Sequence, residues 1–133
     1  MNAEAERPSI GARIGTLVIA FLVGALYGTI ATIGHRQAWQ VGDVSIPWGL
    51  VVGLVGVAAL LIGIRTVAGG RAASVAAAVG VVAMVGLLSL PGPGGSVLVV
   101  DGVVGTIWAV GPVLIAVLVV AFPSLPSRDA RRA

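Results

Sequence analysis

Charged side chains are absent from four long stretches of this chain. Residues 14–34, 44–64, 72–100 and 102–127 contain no Asp, Glu, Lys or Arg. A helix needs about 20 mostly apolar residues to cross ~30 Å of hydrocarbon, and each stretch can provide them. Because one Arg at mid-helix costs roughly 2.5 to 3.5 kcal/mol on insertion scales, this distribution indicates four transmembrane helices rather than a soluble domain.

Prolines and glycines set the limits of the four helices. Pro47 suits a first helical position, the run from Pro91 to Gly95 stops the third helix, and Pro123 follows the fourth. Pro112 falls inside the fourth span and predicts a kink. The pattern thus predicts an all-α fold, a single transmembrane domain over residues 1–133, in which two helical hairpins form a four-helix bundle. Its spans are 14–34, 47–64, 72–90 and 102–122.

The arginines predict the orientation of these spans. With a cytoplasmic N-terminus, one side of the membrane holds only Arg36, and the other side holds Arg7, Arg13, Arg65, Arg71, Arg128, Arg131 and Arg132. Arg in short loops resists translocation, so both termini are predicted to be cytoplasmic. Every basic residue is Arg, and Ala, Gly and Val dominate, as in proteins of GC-rich bacteria. We therefore expect a multi-pass protein of the bacterial plasma membrane.

Three tryptophans lie near the predicted outer surface. Trp39 and Trp48 flank the first outer loop, and Trp108 lies about a turn and a half into the fourth helix. Tryptophan is enriched where hydrocarbon meets water, so the sequence predicts three interfacial anchors.

Small residues recur at helical spacing and predict helix-packing faces. Two GxxxG motifs and a seven-residue glycine repeat comprise Gly24, Gly28, Gly49, Gly53, Gly56 and Gly63, and Gly80 lies on a similar narrow face of the third helix. In lipid, helices associate through close backbone approach, which such residues permit. The alternative is that these glycines line a substrate path. In the outer loops, 35–46 and 91–102, β-branched residues suggest a short two-stranded cap formed between the loops.

Candidate chemistry is sparse. No carboxylate lies deep in a span, although proton- or ion-coupled transport normally needs an ionisable group near the midplane. His35, Arg36, Asp43 and Asp101 occur singly near the outer side, without metal-ligand spacing, and Asp101 is predicted to cap the fourth helix. There is no cysteine. We therefore predict no catalytic, metal or cofactor site and no enzymatic activity.

The basic charge of the chain is expected to set the membrane topology rather than to bind nucleic acid. The isoelectric point is near 11.2, but only 10% of the residues are charged and the arginines cluster at helix ends. There they meet anionic head groups. The tail arginines 128, 131 and 132 are expected to anchor the topology, with docking of a partner as the alternative. We expect no nucleic-acid partner.

Several short motifs support a family resemblance. They are Ile46-Pro47-Trp48-Gly49, the run Pro91-Gly92-Pro93-Gly94-Gly95 followed by Ser96-Val97-Leu98-Val99-Val100, and Gly105-Thr106-Ile107-Trp108. With these motifs, nearly the whole chain resembles an actinobacterial family of small four-pass membrane proteins of uncharacterised function. The resemblance implies a membrane bundle and transfers no catalytic residue.

The sequence favours a non-enzymatic scaffold or accessory subunit of a membrane complex. Its expected partners are the lipid bilayer and other membrane helices, in a homo-oligomer or a larger assembly. The alternative is a small transporter or channel that functions as an oligomer, since four helices of this length enclose little volume alone.

Overall fold

The computed structural model describes residues 7–92 and 102–122. Its elements, in chain order, are α1 (Ile10–Gly34), β1 (Trp39–Val41), β2 (Val44–Ile46), α2 (Trp48–Val67), α3 (Arg71–Ser89) and α4 (Val103–Ala121). All four helices are long and apolar enough to cross a membrane, which confirms the predicted four-helix fold. The protein is therefore a multi-pass membrane protein.

Helix α1 begins one turn earlier than the charge-free stretch predicts. Ser9 is its N-cap, and its hydroxyl accepts a hydrogen bond from the Ala12 amide at 3.1 Å. This bond satisfies one of the amides that a helix start leaves without an intrahelical acceptor. Arg13 therefore lies within the helix, where it is exposed. A long Arg side chain can extend from such a position to the membrane surface.

The closest helix pair joins the two predicted hairpins. Helices α1 and α3 make the most extensive contact in the bundle. Gly24 lies against the backbone of Ala77, and Gly28 lies against Val81. The residue numbers at the contact increase in the same direction along both helices, so α1 and α3 run parallel. Consecutive helices run antiparallel, as when Ser74 near the start of α3 donates a 3.0 Å hydrogen bond to the Leu61 carbonyl in the second half of α2.

Helices α2 and α4 form a second parallel pair. Gly53 of α2 faces the ring of Trp108, and Leu54 packs on Gly111. The buried residues at the centre include Val57, Leu61 and Val81, whereas most larger apolar side chains point outward. Such an exposed apolar shell suits a hydrocarbon solvent.

The first loop folds back on itself. Strand β1 pairs antiparallel with β2, with Trp39 opposite Ile46 and Val41 opposite Val44. The two-residue turn is Gly42-Asp43, in which Gly42 has φ +63° and no non-glycine residue has positive φ in the described ranges. This pattern fits a type II′ turn, whose twist matches that of the strands.

The described strands pair within the first loop, where a tight turn brings its two halves together, whereas the predicted cap pairs the first loop with the second. The strands predicted in the second loop, residues 97–100, lie outside the described residues. We call the end of the bundle that carries β1 and β2 the hairpin end.

At the opposite end of the bundle, two arginines donate hydrogen bonds to the last carbonyls of α4. We call this end the arginine end. Arg65, in the last turn of α2, donates to the carbonyls of Val119 and Phe122, and Arg71 donates to Phe122 at 3.2 Å. The last four carbonyls of a helix lack intrahelical donors and carry partial negative charge. The two guanidinium groups therefore close the C-terminus of α4.

Candidate functional site at the hairpin end

A buried polar cluster connects α1 to α4 at the hairpin end. Trp108 donates its indole N–H to the Thr32 hydroxyl at 3.1 Å, and that hydroxyl donates to the Gly28 carbonyl at 2.6 Å. The ring of His35 stacks on Trp108, with centroids 5.4 Å apart and planes 11° from parallel. His35 and Trp108 are both 0% exposed. Side chains 73 positions apart in the chain thus form one unit.

The hydrogen bond made by His35 determines which ring nitrogen carries the proton in the neutral form. Its Nδ1 lies against the Thr32 carbonyl oxygen, which can only accept. Nδ1 must therefore donate, and Nε2 of a neutral ring then presents a lone pair. Among the described residues Nε2 has no hydrogen-bond partner. A buried polar atom without a partner is uncommon and is a candidate point of contact for a ligand.

His35 also lines a pocket of about 350 Å³ at this end of the bundle. Its wall includes Arg36, Ser45 and the first turn of α4, residues 102–105. Its wall is more polar than the walls of two larger pockets in the described residues, which lie elsewhere on the bundle. The arrangement can offer a cationic side chain, a hydroxyl, backbone amides and an imidazole to one small ligand.

Six of the seven predicted packing glycines lie in close contacts. Gly24, Gly28 and Gly80 lie at the α1–α3 contact. Gly49 lies against the carbonyls of Gly34 and Gln37, where the chain leaves α1. A methyl group at any of these four positions would meet backbone atoms.

Two other glycines of α2 receive side chains instead of a neighbouring backbone. The indole of Trp108 covers Gly53, and the phenol of Tyr27 covers Gly56. Tyr27 also donates a 2.9 Å hydrogen bond to the Gly53 carbonyl. Gly63 differs from the other six, because no atom lies within 4 Å of the position of a Cβ. It lines an outward-facing groove between α1 and α2.

The three predicted anchor tryptophans have two different environments. Trp39 is 69% exposed and Trp48 is 40% exposed, and both lie at the hairpin end. Trp108 is in the interior and does not reach the surface, contrary to the position expected of an interfacial anchor. At about a turn and a half from the helix start, the Trp108 side chain could face either the membrane surface or the bundle interior. The hydroxyl of Thr32 provides the buried partner that an indole N–H requires.

The predicted absence of a metal site was based on spacing alone. Within residues 7–92 and 102–122, no group of three or more His, Asp or Glu side chains could hold a metal ion. Arg36 and Asp43 are exposed at the hairpin end. Asp101, predicted to cap α4, and the tail arginines 128, 131 and 132 lie outside the described residues.

Comparison with known families places the whole chain in one group. The model of a family of unknown function, DUF6113, matches residues 2–133. The chain belongs to this family. The resemblance to an uncharacterised family inferred from the short motifs is thereby confirmed at that level. No curated protein and no solved structure matches the chain significantly.

Sequence reasoning had not linked His35 with Trp108 or singled out the pocket beside them. One signal was present: two antiparallel hairpins bring the end of the first span and the start of the fourth to the same side of the membrane. Which residues then face inward depends on helix rotation. A single apolar sequence with little periodicity does not encode that rotation clearly.

Proposed function

We propose that this member of the DUF6113 family is a non-enzymatic scaffold or accessory subunit of a complex in a bacterial plasma membrane. Its partners in this proposal are other membrane helices, and its surroundings are lipid. The observation that chiefly supports this role is the direct backbone contact between α1 and α3.

That contact leaves no room for a path between α1 and α3. A Cβ on Gly24 would overlap the Ala77 carbonyl, and a Cβ on Gly80 would overlap the Phe21 carbonyl. Polar side chains in the span are bonded to nearby carbonyls, as Thr29 is to Ala25 at 2.8 Å. A water-filled route for ions is lined by polar groups. The glycine and alanine residues at the α1–α3 contact do not supply such groups.

Two outward-facing grooves offer surfaces for other helices. One, of about 550 Å³, lies between α3 and α4 and is lined only by Val and Ala. The other, of about 560 Å³, lies between α1 and α2 near the arginine end and includes Gly63. Small side chains let a neighbouring helix approach closely, which is the main source of association energy in lipid. These grooves support a role in assembly.

The proposed orientation places the arginine end and both termini in the cytoplasm. Arg65 and Arg71 lie at the arginine end, whereas Arg36 lies at the hairpin end. The positive-inside rule favours the side with more arginines in short loops. The hairpin-end pocket then opens on the outer face.

Purification in mild detergent tests the scaffold role. We expect a membrane protein to co-purify in a fixed ratio with the wild-type chain. Ala83→Phe, which fills the groove between α3 and α4, should reduce that recovery. Val110→Phe, an exposed position that does not line either groove, should leave it unchanged. Equal recovery with both variants would contradict assembly through this groove.

Flux measurements test the alternative of an oligomeric transporter or channel. Proteoliposomes containing the purified chain should show no more proton, potassium or chloride flux than empty liposomes. Tyr27→Phe removes the hydrogen bond from α1 to the Gly53 carbonyl of α2. Flux that depends on the protein and is lost in this variant would overturn the scaffold proposal.

A further inference from the structure

The hairpin-end pocket combines three features that each favour an anionic ligand. The first is the start of α4. The earliest intrahelical bond there runs from the Thr106 amide to the Gly102 carbonyl at 2.9 Å, so the amides of residues 103–105 precede the helical ladder. No side-chain cap hydrogen bond is present at this helix start in the described structure. Such amides carry partial positive charge and commonly bind phosphate or carboxylate groups.

The second feature is the buried imidazole, which is independent of the helix start. His35 lines the same pocket, is fully buried, and has no partner for Nε2 among the described residues. Stacking on Trp108 and the bond from Nδ1 to Thr32 fix the ring in place. A ring fixed in this way loses little further freedom when a ligand binds beside it.

The third feature is the charge of the pocket wall. Arg36 is the charged residue that lines it in the described structure, and no carboxylate does. Asp43 lies in the β turn, exposed, and is not part of the wall. Ser45 adds a hydroxyl that can donate to an oxyanion. The described wall therefore offers donors and positive charge on several sides.

We propose that this pocket binds a phosphate group, with one proton shared between a phosphate oxygen and Nε2 of His35. The amides at the start of α4, the Arg36 guanidinium and the Ser45 hydroxyl bind the other oxygens. With the free ion, dihydrogen phosphate donates a P–OH to the imidazole lone pair, or a protonated imidazole donates to hydrogen phosphate, and both arrangements contain the same number of protons. A phosphodiester head group has no P–OH, so with a lipid the protonated imidazole donates to a phosphodiester oxygen. This proposal is independent of the scaffold role.

The phosphate has two available sources. The pocket, at about 350 Å³, is larger than a phosphate ion and leaves room for waters or an ester substituent. Free phosphate reaches it from the aqueous side. A lipid head group reaches it from the adjacent leaflet, because the pocket lies where α1 ends and α4 begins.

The single histidine of the chain gives a direct readout. Full-length protein with ¹⁵N-labelled histidine, purified in a maltoside detergent and stripped of phospholipid, shows one imidazole. Inorganic phosphate should shift its Nε2 resonance saturably and by much more than its Nδ1 resonance, because Nδ1 keeps its bond to the Thr32 carbonyl. If Nε2 does not shift with phosphate and also does not shift with phospholipid, the proposal is wrong.

Variants show whether the proposed donors bind the phosphate. Binding of radiolabelled orthophosphate should weaken about tenfold or more in His35→Asn and in Arg36→Gln, as expected for loss of a charge-assisted hydrogen bond. The Asn amide can still donate to the Thr32 carbonyl, so His35→Asn removes mainly Nε2. Arg13→Gln removes the same charge from the far end of α1 and should bind as wild type does. Equal binding by all four proteins would overturn the proposal.

Nanodiscs of two lipid compositions distinguish free phosphate from a lipid head group as the ligand. In nanodiscs of a phosphate-free galactolipid, the Nε2 shift should require added phosphate. In nanodiscs of phosphatidylglycerol, a shift present before phosphate is added would identify the lipid head group as the ligand. A shift that appears only with added phosphate in both membranes would identify the free ion.

Discussion

The two parallel helix pairs of this bundle are built differently, although their sequences look alike. Helices α1 and α3 meet backbone to backbone, with Gly24 on Ala77 and Gly80 on Phe21. Helices α2 and α4 are held apart by side chains, chiefly the indole of Trp108, which covers Gly53. One pair is closed by the absence of side chains and the other by a large ring.

This difference shows that a GxxxG motif does not determine its own partner. Gly24 and Gly28 admit a helix backbone, whereas Gly53 admits an aromatic ring. Both uses require that no Cβ be present. The two interfaces should therefore respond differently to the same kind of substitution.

The largest effect is expected from removing the ring between α2 and α4. Trp108→Ala deletes a fully buried side chain and its hydrogen bond to Thr32. Truncations of this kind cost about 3–5 kcal/mol. Reversible unfolding in mixed detergent micelles should show a loss of that order. A loss below about 1 kcal/mol would mean that the ring does not fill this interface.

A smaller effect is expected from adding one methyl group between α1 and α3. In Gly80→Ala the new Cβ would overlap the Phe21 carbonyl and lie 2.8 Å from the Ala25 amide nitrogen. Backbone cannot move aside cheaply, so we expect a loss of about 1–3 kcal/mol in the same unfolding measurement.

Gly86→Ala is the matched control for this substitution. Gly86 also lies on α3, but nothing is within 4 Å of its Cβ position, so the free energy of unfolding should stay within about 0.5 kcal/mol of wild type. Equal effects at Gly80 and Gly86 would show that helix propensity, rather than close approach, is being measured.

Gly53→Ala, made with and without the Trp108 ring, distinguishes the α2–α4 pair most clearly from the α1–α3 pair. Its added Cβ would lie 2.8 Å from a Trp108 ring carbon, so Gly53→Ala should cost about 1 kcal/mol in the wild-type background. In the Trp108→Ala background, where the ring is gone, the same substitution should cost nothing or stabilise. Gly80→Ala should keep its full cost there. A Gly53 cost that persists without the ring would refute the assignment of that glycine to Trp108.

Much of the fold could be predicted because lipid imposes a simple rule on charge. The prolines and arginines mark the helix ends, and the structure places α2 from Trp48, directly after Pro47. The small size of Gly24 and Gly80 indicated that some backbone must come close. The start of α1 was placed late, because Arg13 lies inside the helix rather than before it.

The partners of these residues could not be predicted. Nothing in the sequence indicated that α1 would make its main contact with α3, since that depends on the rotation of two nearly uniform apolar helices. The same rotation turns Trp108 inward to His35 rather than outward to the membrane surface. The β hairpin within the first loop was not predicted, because Val41 and Val44 were expected to pair with the second loop, whereas the Gly42-Asp43 turn pairs them with each other.

The most direct test of the central claim is cysteine accessibility on opposite ends of the bundle. The natural chain has no cysteine, so Asp43→Cys at the hairpin end and Ala68→Cys at the arginine end each introduce a single thiol. In intact cells a membrane-impermeant maleimide should label Asp43→Cys, and it should label Ala68→Cys only after permeabilisation. Labelling of both without permeabilisation would contradict the membrane-spanning bundle, and the reverse pattern would contradict its proposed orientation.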